Sequence, residues 1–420
     1  MLQVCSRSKV IYNKNKIFVV RFINRLYELI EMNKTIFTLF FILFFSIVGN
    51  SQNFKISKII IDKTTKSPLE NVSIYNDKDN STTNQEGLFV FVSSQNEINF
   101  NLLGYNFLKT TFEEIEKKDT IFMESKAIVL KEVVLVNLEP FIKKVYGKMA
   151  ENYISNYTSN FFLRNVLKKD NSIVVLQDIH AKRGKNANTK NSSEIEVLNM
   201  RKISFFEKEN KIDFEFPDFN EFFGGIFPAL DKNIFTEVDC NEADFRKIIF
   251  EEKEKNQLGQ SGKGYFVINR NDYAIVEFFV SNYDNPKVVP YKKFALSSTQ
   301  YRTTKYEKLM RFSKSNTLKK YYLNLSKLDA QVEVMPDKKS EKTFNYNLSI
   351  DYFVTNSITN EKVTSNFAVD KDIFKAKFPY SDDFWNKQNQ LPLTKELKEF
   401  LNLVSENKDK KKEFEIIGNF

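Results

Sequence analysis

Residues 54–136 read FKISKIIIDKTTKSPLENVSIYNDKDNSTTNQEGLFVFVSSQNEINFNLLGYNFLKTTFEEIEKKDTIFMESKAIVLKEVVLV. Short apolar or alternating runs are separated at close intervals by turn chemistry, the pattern of a small β-sandwich. A first strand over Phe54–Ile61 leads through Asp62–Thr65 to Ser67-Pro68-Leu69, and Val72 and Ile74 alternate inward. Then come Ser81-Thr82-Thr83-Asn84, the turn Glu86-Gly87, the strands Leu88–Val92 and Ile98–Leu102, the pair Gly104-Tyr105, and a last strand at Thr120–Met123. Gly87 is expected to hold a turn dihedral that a β-branched residue cannot adopt.

Taken in that order, Pro68-Leu69, Val72, Thr82–Asn84, Glu86-Gly87, Phe89 and Gly104-Tyr105 resemble the carboxypeptidase regulatory-like domain. That domain is a transthyretin-like sandwich, here in the version common on exported proteins of Bacteroidetes-type bacteria. The tail Leu130-Lys131-Glu132-Val133-Val134 looks like the segment that follows this domain in TonB-dependent receptors. In the family the domain is an accessory of the peptidase, so the resemblance implies a module and no peptidase activity.

Working outward, residues 33–52 read NKTIFTLFFILFFSIVGNSQ: a Lys, an apolar run from Ile36 to Val48, then small residues. With Met32 in front this has the three regions of a secretory signal. The run is shorter than the ~20 residues of a spanning helix. Residues 32–51 are therefore read as a signal peptide, Gln52 as the mature N-terminus, and 1–31 as an upstream extension with Met32 as the true start; the alternative is an inner-membrane protein with a cytoplasmic tail. The seven basic and two acidic residues before Gln52 carry more than half of the formal charge of +9. Cys5 and Cys240 are the two cysteines, so no disulfide framework is expected.

Beyond the sandwich (52–136), residues 137–160 read as a linker helix, with Phe141, Val145, Met149 and Tyr153 at four-residue spacing and Pro140 in the first turn. Asn156-Tyr157 followed by Phe161-Phe162-Leu163-Arg164 resembles the junction by which larger Bacteroidetes proteins join this sandwich to a second β domain. Residues 161–404 then read as that domain, a curved antiparallel sheet or half-barrel ending in a short helix, and 405–420 as a charged tail. The expected strands include Ser172–Ile179, Glu194–Met200, Gly264–Asn269, Tyr273–Ser281, Lys319–Lys327, Phe344–Val354 and Thr364–Val369, with a tight hairpin at Asn269-Arg270-Asn271. The spacing of Gly264, Ile268 and Tyr273-Ala274-Ile275 looks like the periplasmic lipoprotein-carrier half-barrel. The fold class is thus mainly β: a seven-strand-type sandwich, a linker helix and a second antiparallel domain.

Two stretches are candidates for binding. Phe214–Asp231 holds six phenylalanines, and Phe222, Phe223, Gly224, Gly225 and Phe227 are read either as a loop capping the sheet or as an apolar lid on a cavity. Lys292–Tyr322 sets nine cations against Glu307 alone, with aromatic residues interleaved. Arg302, Lys305, Lys308 and Arg311 are the candidate surface there for an anionic glycan, lipopolysaccharide or an acidic envelope protein. Nucleic acid is set aside because an exported protein rarely meets it, and the alternative is a sheet with rings inside and lysines in water.

Catalytic patterns are incomplete. One histidine, His180, cannot supply a zinc site; it shares a strand face with Asp178 but no nucleophile can be named, and a surface or capping position is expected. Cys240 lies among Glu237, Asp239 and Glu242, which would raise a thiol pKa. Gly259–Gly264 lacks the Ser/Thr after Lys and leads into a strand, so it is no phosphate loop. Asp77–Ser81 has no Gly at position six and Leu88 where a calcium loop needs Glu, so it is a turn. No catalytic residue, cofactor or metal is assigned. The leading expectation is a non-enzymatic exported envelope protein acting in binding or assembly, peripheral to the outer membrane. The alternatives are a carrier of an apolar ligand, then a hydrolase, then an integral barrel suggested by Phe420.

Overall fold

The seven short strands of the sandwich are β1 (Phe54–Asp62), β2 (Ser73–Tyr75), β3 (Asn80–Thr82), β4 (Leu88–Ser93), β5 (Glu97–Asn101), β6 (Leu108–Thr111) and β7 (Thr120–Met123). One sheet runs β4-β1-β7 and the other β3-β2-β5-β6. Alternation buries Ile60, Val72, Ile74, Phe89, Phe91, Ile98 and Phe100 between them, as expected for two sheets packed face to face. Gly87 has φ +72°, and a Cβ there would lie 2.4 Å from the Ile60 carbonyl oxygen. No side chain fits that turn. A short helix, α1 (Phe112–Glu116), is capped by the Thr111 hydroxyl accepting from Glu114 N–H.

The computed structural model describes residues 53–126, 137–186, 193–205, 219–224, 227–240, 242–253, 261–283, 289–293, 298–336, 342–406 and 413–420. The upstream extension, the signal segment, the Leu130–Val134 tail, Gly225, Gly259-Gln260 and the Lys408–Lys412 charge run lie outside them. No described helix is long and apolar enough to cross a membrane.

The linker is helical but in two pieces, α2 (Glu139–Gly147) and α3 (Met149–Asn152), with Pro140 in the first turn. Ile142 and Val145 are its buried residues, and Tyr153 has left the helix in extended conformation. The four-residue stripe therefore holds for one turn fewer than its spacing suggests, because the helix breaks at Lys148.

The second sheet is built from β8 (Asn156–Lys169), β9 (Ser172–Asn186), β10 (Ser193–Phe205), β11 (Asn233–Val238), β12 (Phe245–Glu252), β13 (Ser261–Asn269), β14 (Ile275–Tyr283), β15 (Lys292–Lys293), β16 (Gln300–Lys314), β17 (Tyr321–Met335), β18 (Phe344–Val354) and β19 (Phe414–Ile417). Its order is β11-β12-β13-β14-β16-β17-β18-β8-β9-β10-β19, with β15 on β16, and the ladders are antiparallel throughout. The sheet does not close: β11 and β19 are its edges. Register shifts within β8–β9, β9–β10, β13–β14 and β16–β17 are bulges, which bend and twist long strands. The fold is mainly β, as the alternation implies.

Three local expectations need correction. Thr364–Val369 is not a strand; it makes one bridge, Ile195 to Phe367, and beyond it the Asn366 side-chain amide takes both backbone groups of Val197 that a ladder would use. Part of the supposed charged tail is β19, whose Phe414–Ile417 carries enough apolar surface to add to β10. The β13–β14 connection spans Arg270–Ala274, with Tyr273 at φ +62°, rather than the three residues Asn269-Arg270-Asn271.

Each side chain parity on β8 and β9 faces a different cover. The inner face carries Phe161, Leu163, Ile179 and Ala181 and packs against α2, the short helix α4 (Phe219–Phe223) and the Ile358–Phe378 region. The outer face carries Phe162, Val166 and Leu176 and is covered by α5 (Asp382–Asn386), α6 (Lys395–Glu406) and their connection. Sandwich and sheet belong to one compact unit, Phe54–Phe420. They meet through Asn80 N–H on the Thr355 carbonyl and through Asn389, whose amide bonds both backbone groups of Val92.

Candidate binding site on the inner face of the large sheet

Antiparallel register sets Ser159 opposite Arg183 and Tyr157 opposite Lys185 on β8 and β9, and Ser193 of β10 opposite Lys185. All point to the inner face, as does Tyr352 of β18. Arg183 is 3% exposed. Its Nε donates to Ser193 Oγ at 3.0 Å, and its guanidinium lies 3.6 Å from the centre of the Phe223 ring. Among the described residues no carboxylate forms an ion pair with it. A buried cation is ordinarily paired, because taking it out of water is expensive. Two more polar atoms at this spot, Ser159 Oγ and Tyr352 OH, are buried and make no hydrogen bond of normal length. Burial pushes the Tyr352 hydroxyl pKa upward. Lys185 donates to the Ile154 carbonyl at 3.0 Å; burial, with Arg183 adding to it, pulls its pKa down to about 8. The inner face thus holds two neighbouring cations and two buried hydroxyls, with Tyr352 close to both Ser159 and Arg183, beneath an aromatic cover.

That cover is α4 and the residues after it. Phe219 and Phe222 are fully buried, and Phe223 is half-buried against Phe161, Phe219 and Tyr352. Phe227 packs on Tyr146, Phe266 and Phe278. Polar contacts that hold the segment include Phe219 N–H on the Val369 carbonyl, Ser326 Oγ on the Phe222 carbonyl at 3.0 Å, the Lys308 ammonium on the Gly224 carbonyl and Tyr146 OH on the Pro228 carbonyl at 2.8 Å. The candidate lid residues are therefore a plug seated in the inner face, with Gly224 exposed at its end.

The four cations read as a surface are not one. Lys308 is 3% exposed and belongs to the inner face, under Gly224. Arg302 is held by Glu333 at 2.6 Å, Lys305 by Glu307 at 2.7 Å, and Arg311 by Glu277 and the Asn71 carbonyl of the sandwich. Alternation along β16, shifted by the bulge between Thr303 and Lys305, turns Lys308 to the inner face and the other three to the opposite face, where Glu333 of β17, Glu277 of β14 and Glu307 of β16 itself pair with them. The exposed members of the stretch are elsewhere, at Lys292, Lys293, Lys314, Lys319 and Lys320.

His180 does share a face with Asp178, but that is the buried outer face. The Asp178 carboxylate accepts from Arg164 at 2.7 and 2.8 Å and from Arg201 at 2.7 and 3.0 Å. Burial raises its pKa, and the two guanidiniums outweigh that and hold it below the usual carboxylate range. The same arginines reach the Leu391 and Pro392 carbonyls and Gln390, clamping the α5–α6 connection to the sheet. His180 is wedged among Phe162, Phe384 and Trp385, with Nε2 unpartnered, and burial drives its pKa down to about 3. It is neither surface nor cap: the aromatic cover contributed by α5, over 200 residues away in sequence, buries it. The Cys240 thiol is pushed up by burial and by Asp239 and Glu242.

No family model matches this chain, and no curated protein does. Among solved structures, an outer membrane lipoprotein-sorting protein domain from Vibrio parahaemolyticus is similar at 9% identity and a TM-score of 0.23, covering 54% of this chain and 94% of that one. A LolA superfamily protein, NE2245 from Nitrosomonas europaea, is similar at 8% identity and a TM-score of 0.20, covering 53% and 94%. MucB in complex with MucA follows at 7% identity and a TM-score of 0.15, covering 50% and 93%. Likeness at these scores is too slight to argue from, and the site rests on its own geometry.

Proposed function

We propose that this chain is a non-catalytic, exported binding protein of the cell envelope that carries an amphiphile, an apolar chain with an acidic head, on the inner face of its large sheet. The observation that carries the reading is Arg183: a buried guanidinium with no carboxylate partner among the described residues, under an aromatic plug. An acidic headgroup would supply the missing counter-charge and accept from the Ser159 and Tyr352 hydroxyls, while the chain would take the place of the Phe223 and Phe227 rings. Ligand sites of this kind are largely apolar, with a few placed polar groups that fix orientation. Export is supported by the signal-like segment 32–51, and the accessory nature of the N-terminal sandwich by its resemblance to the carboxypeptidase regulatory-like domain.

The test titrates the full chain with 11-dansylaminoundecanoic acid and, separately, with its uncharged methyl ester. The acid is expected to bind more tightly than the ester. Arg183→Met should weaken acid binding by about tenfold or more, the scale of one charge-assisted contact, and leave the ester unchanged. Equal binding of acid and ester to the wild-type chain would overturn the headgroup assignment.

A further inference from the structure

A second, separate cavity lies where the sandwich meets the large sheet. It is a cleft of about 620 Å³, walled on one side by residues of β2, β5 and the Leu102–Phe107 turn and on the other by β14, β16 and β17. Its margins are tied down. Glu242 accepts from Lys126 at 2.6 Å and from Gly104 N–H at 3.2 Å. Asp77 accepts from Asn316 at 3.3 Å, and its carbonyl accepts from Ser357.

The charges lining this cleft cancel. Asp77, Glu242 and Glu277 stand against Lys126, Arg311 and Lys314. Lys126 pairs with Glu242, Arg311 with Glu277, and Lys314 with nearby Asp272 at 2.8 Å. What remains toward the cavity is amide, hydroxyl and ring. Asn101 and Asn316 are exposed in it, and Asn324 places a buried Oδ1 there with no hydrogen-bond partner. Phe107, 54% exposed, offers a bare ring at the rim, with Tyr75 and Phe312 half-buried behind it.

We infer that this cleft binds a neutral oligosaccharide. Lining charges that balance three against three, with each cation already paired, leave little net field to select an ion. Side-chain amides and hydroxyls each donate and accept, which matches hydroxyl groups that do both. An exposed ring beside such groups gives an apolar platform for a sugar face, the mix of apolar wall and few polar anchors that ligand clefts use. An extended peptide would bind by adding to a strand edge, and β2, β14, β16 and β17 are all interior strands with both neighbours in place. The saccharide therefore fits where a peptide ladder does not. The orphaned Asn324 Oδ1 is the acceptor for one sugar hydroxyl.

The experiment is calorimetric titration of the full chain with maltohexaose, cellohexaose, xylohexaose and N-acetylchitohexaose, with a hyaluronan hexasaccharide as the charged control. At least one neutral hexasaccharide is expected to bind, with a Kd unchanged when salt is raised to about 0.5 M, where surface charges are screened. Phe107→Ala, on an exposed side chain, and Asn324→Ala, which removes an unpartnered atom, should each raise that Kd about tenfold without lowering the Tm. Binding of none of the four, binding of hyaluronan alone, or neutral binding that ignores both substitutions would overturn the assignment. Arg183→Met should leave saccharide binding intact, so failure here and failure of the amphiphile site are read separately.

Discussion

Arg183→Met should make the unliganded protein more stable, an unusual direction for a change at a buried residue. The guanidinium is 3% exposed, with one neutral acceptor, Ser193, and one ring, Phe223, in place of a counter-ion. Replacement forfeits a cation–π contact of about 1–2 kcal/mol when desolvated and a hydrogen bond of about 1 kcal/mol. Against that stands the desolvation of the charge, which is several kcal/mol for a buried ion after relaxation. Methionine keeps the length and adapts to irregular space between Tyr352 and Phe223. The difference is a net stabilisation of about 1–3 kcal/mol, or a rise in Tm of roughly 1–4 °C for a unit of this size. Thermal and urea melts of the two unliganded chains at pH 7 measure it, and the melts with the dansyl acid measure its reversal: ligand should raise the Tm of the wild type more than that of the variant. A loss of more than about 1 kcal/mol in the variant without ligand would mean that the charge is compensated in the folded chain. The case for an acidic headgroup would then fall.

Gly87→Val should destabilise the sandwich by about 3 kcal/mol or more, since it combines a positive φ with a Cβ driven into the Ile60 carbonyl oxygen that accepts from Leu69 N–H; a chemical melt showing less than about 1 kcal/mol would refute the turn geometry. Asp178→Asn leaves two buried guanidiniums facing a neutral amide and should lose about 3–5 kcal/mol, read by urea unfolding, with the α5–α6 connection released first in hydrogen exchange. His180 gives a pH signature. Its folded pKa is pulled below the unfolded value of 6.5 to about 3 by burial, so between those values the unfolded chain binds more protons and stability falls as pH drops. His180→Phe removes that group, and the gap in stability between variant and wild type should widen from pH 6.5 downward; a constant gap would show that His180 titrates normally.

Much of this architecture is written locally. Short alternating runs with turn residues between them are enough to place β1, β4, β5 and β7 and the inward Ile74 of β2, though not β6, and Gly87 announces its own dihedral, because strand parity and turn chemistry depend on near neighbours. The long strands β16 and β17 were legible as strands, but the destination of their side chains was not. The bulge between Thr303 and Lys305 shifts parity once within β16, leaving Arg302, Lys305 and Arg311 on one face and Lys308 on the other. A row of cations that counts as a basic patch in one dimension is thereby divided between the plug, the sandwich and carboxylates on adjacent strands. His180 failed for a related reason: its cover comes from Phe384 and Trp385, and no window of sequence around residue 180 contains them.

The two buried arginines of β8 and β9 make the same point about the binding site itself. Arg164 sits in Phe162-Leu163-Arg164-Asn165 and Arg183 in Lys182-Arg183-Gly184-Lys185, and neither short stretch holds a carboxylate that would announce a partner. Cross-strand register separates the two. It sets Arg164 directly opposite Asp178, and it sets Arg183 directly opposite Ser159. One pairing completes a charge pair and makes a structural clamp; the other leaves a buried cation beside a hydroxyl. Shifting β9 by two residues along β8 would preserve every inward and outward assignment while breaking both pairings, setting Arg164 opposite Leu176 or His180 and Arg183 opposite Tyr157 or Phe161. The functional signal at Arg183 therefore resides in a registration that the apolar pattern alone does not determine. Ser159→Asp tests this directly, because it supplies Arg183 with a carboxylate across the ladder. It should leave the fold intact and abolish binding of the acidic probe by occupying the cation from within, and undiminished acid binding in that variant would show that Arg183 is not where the headgroup sits.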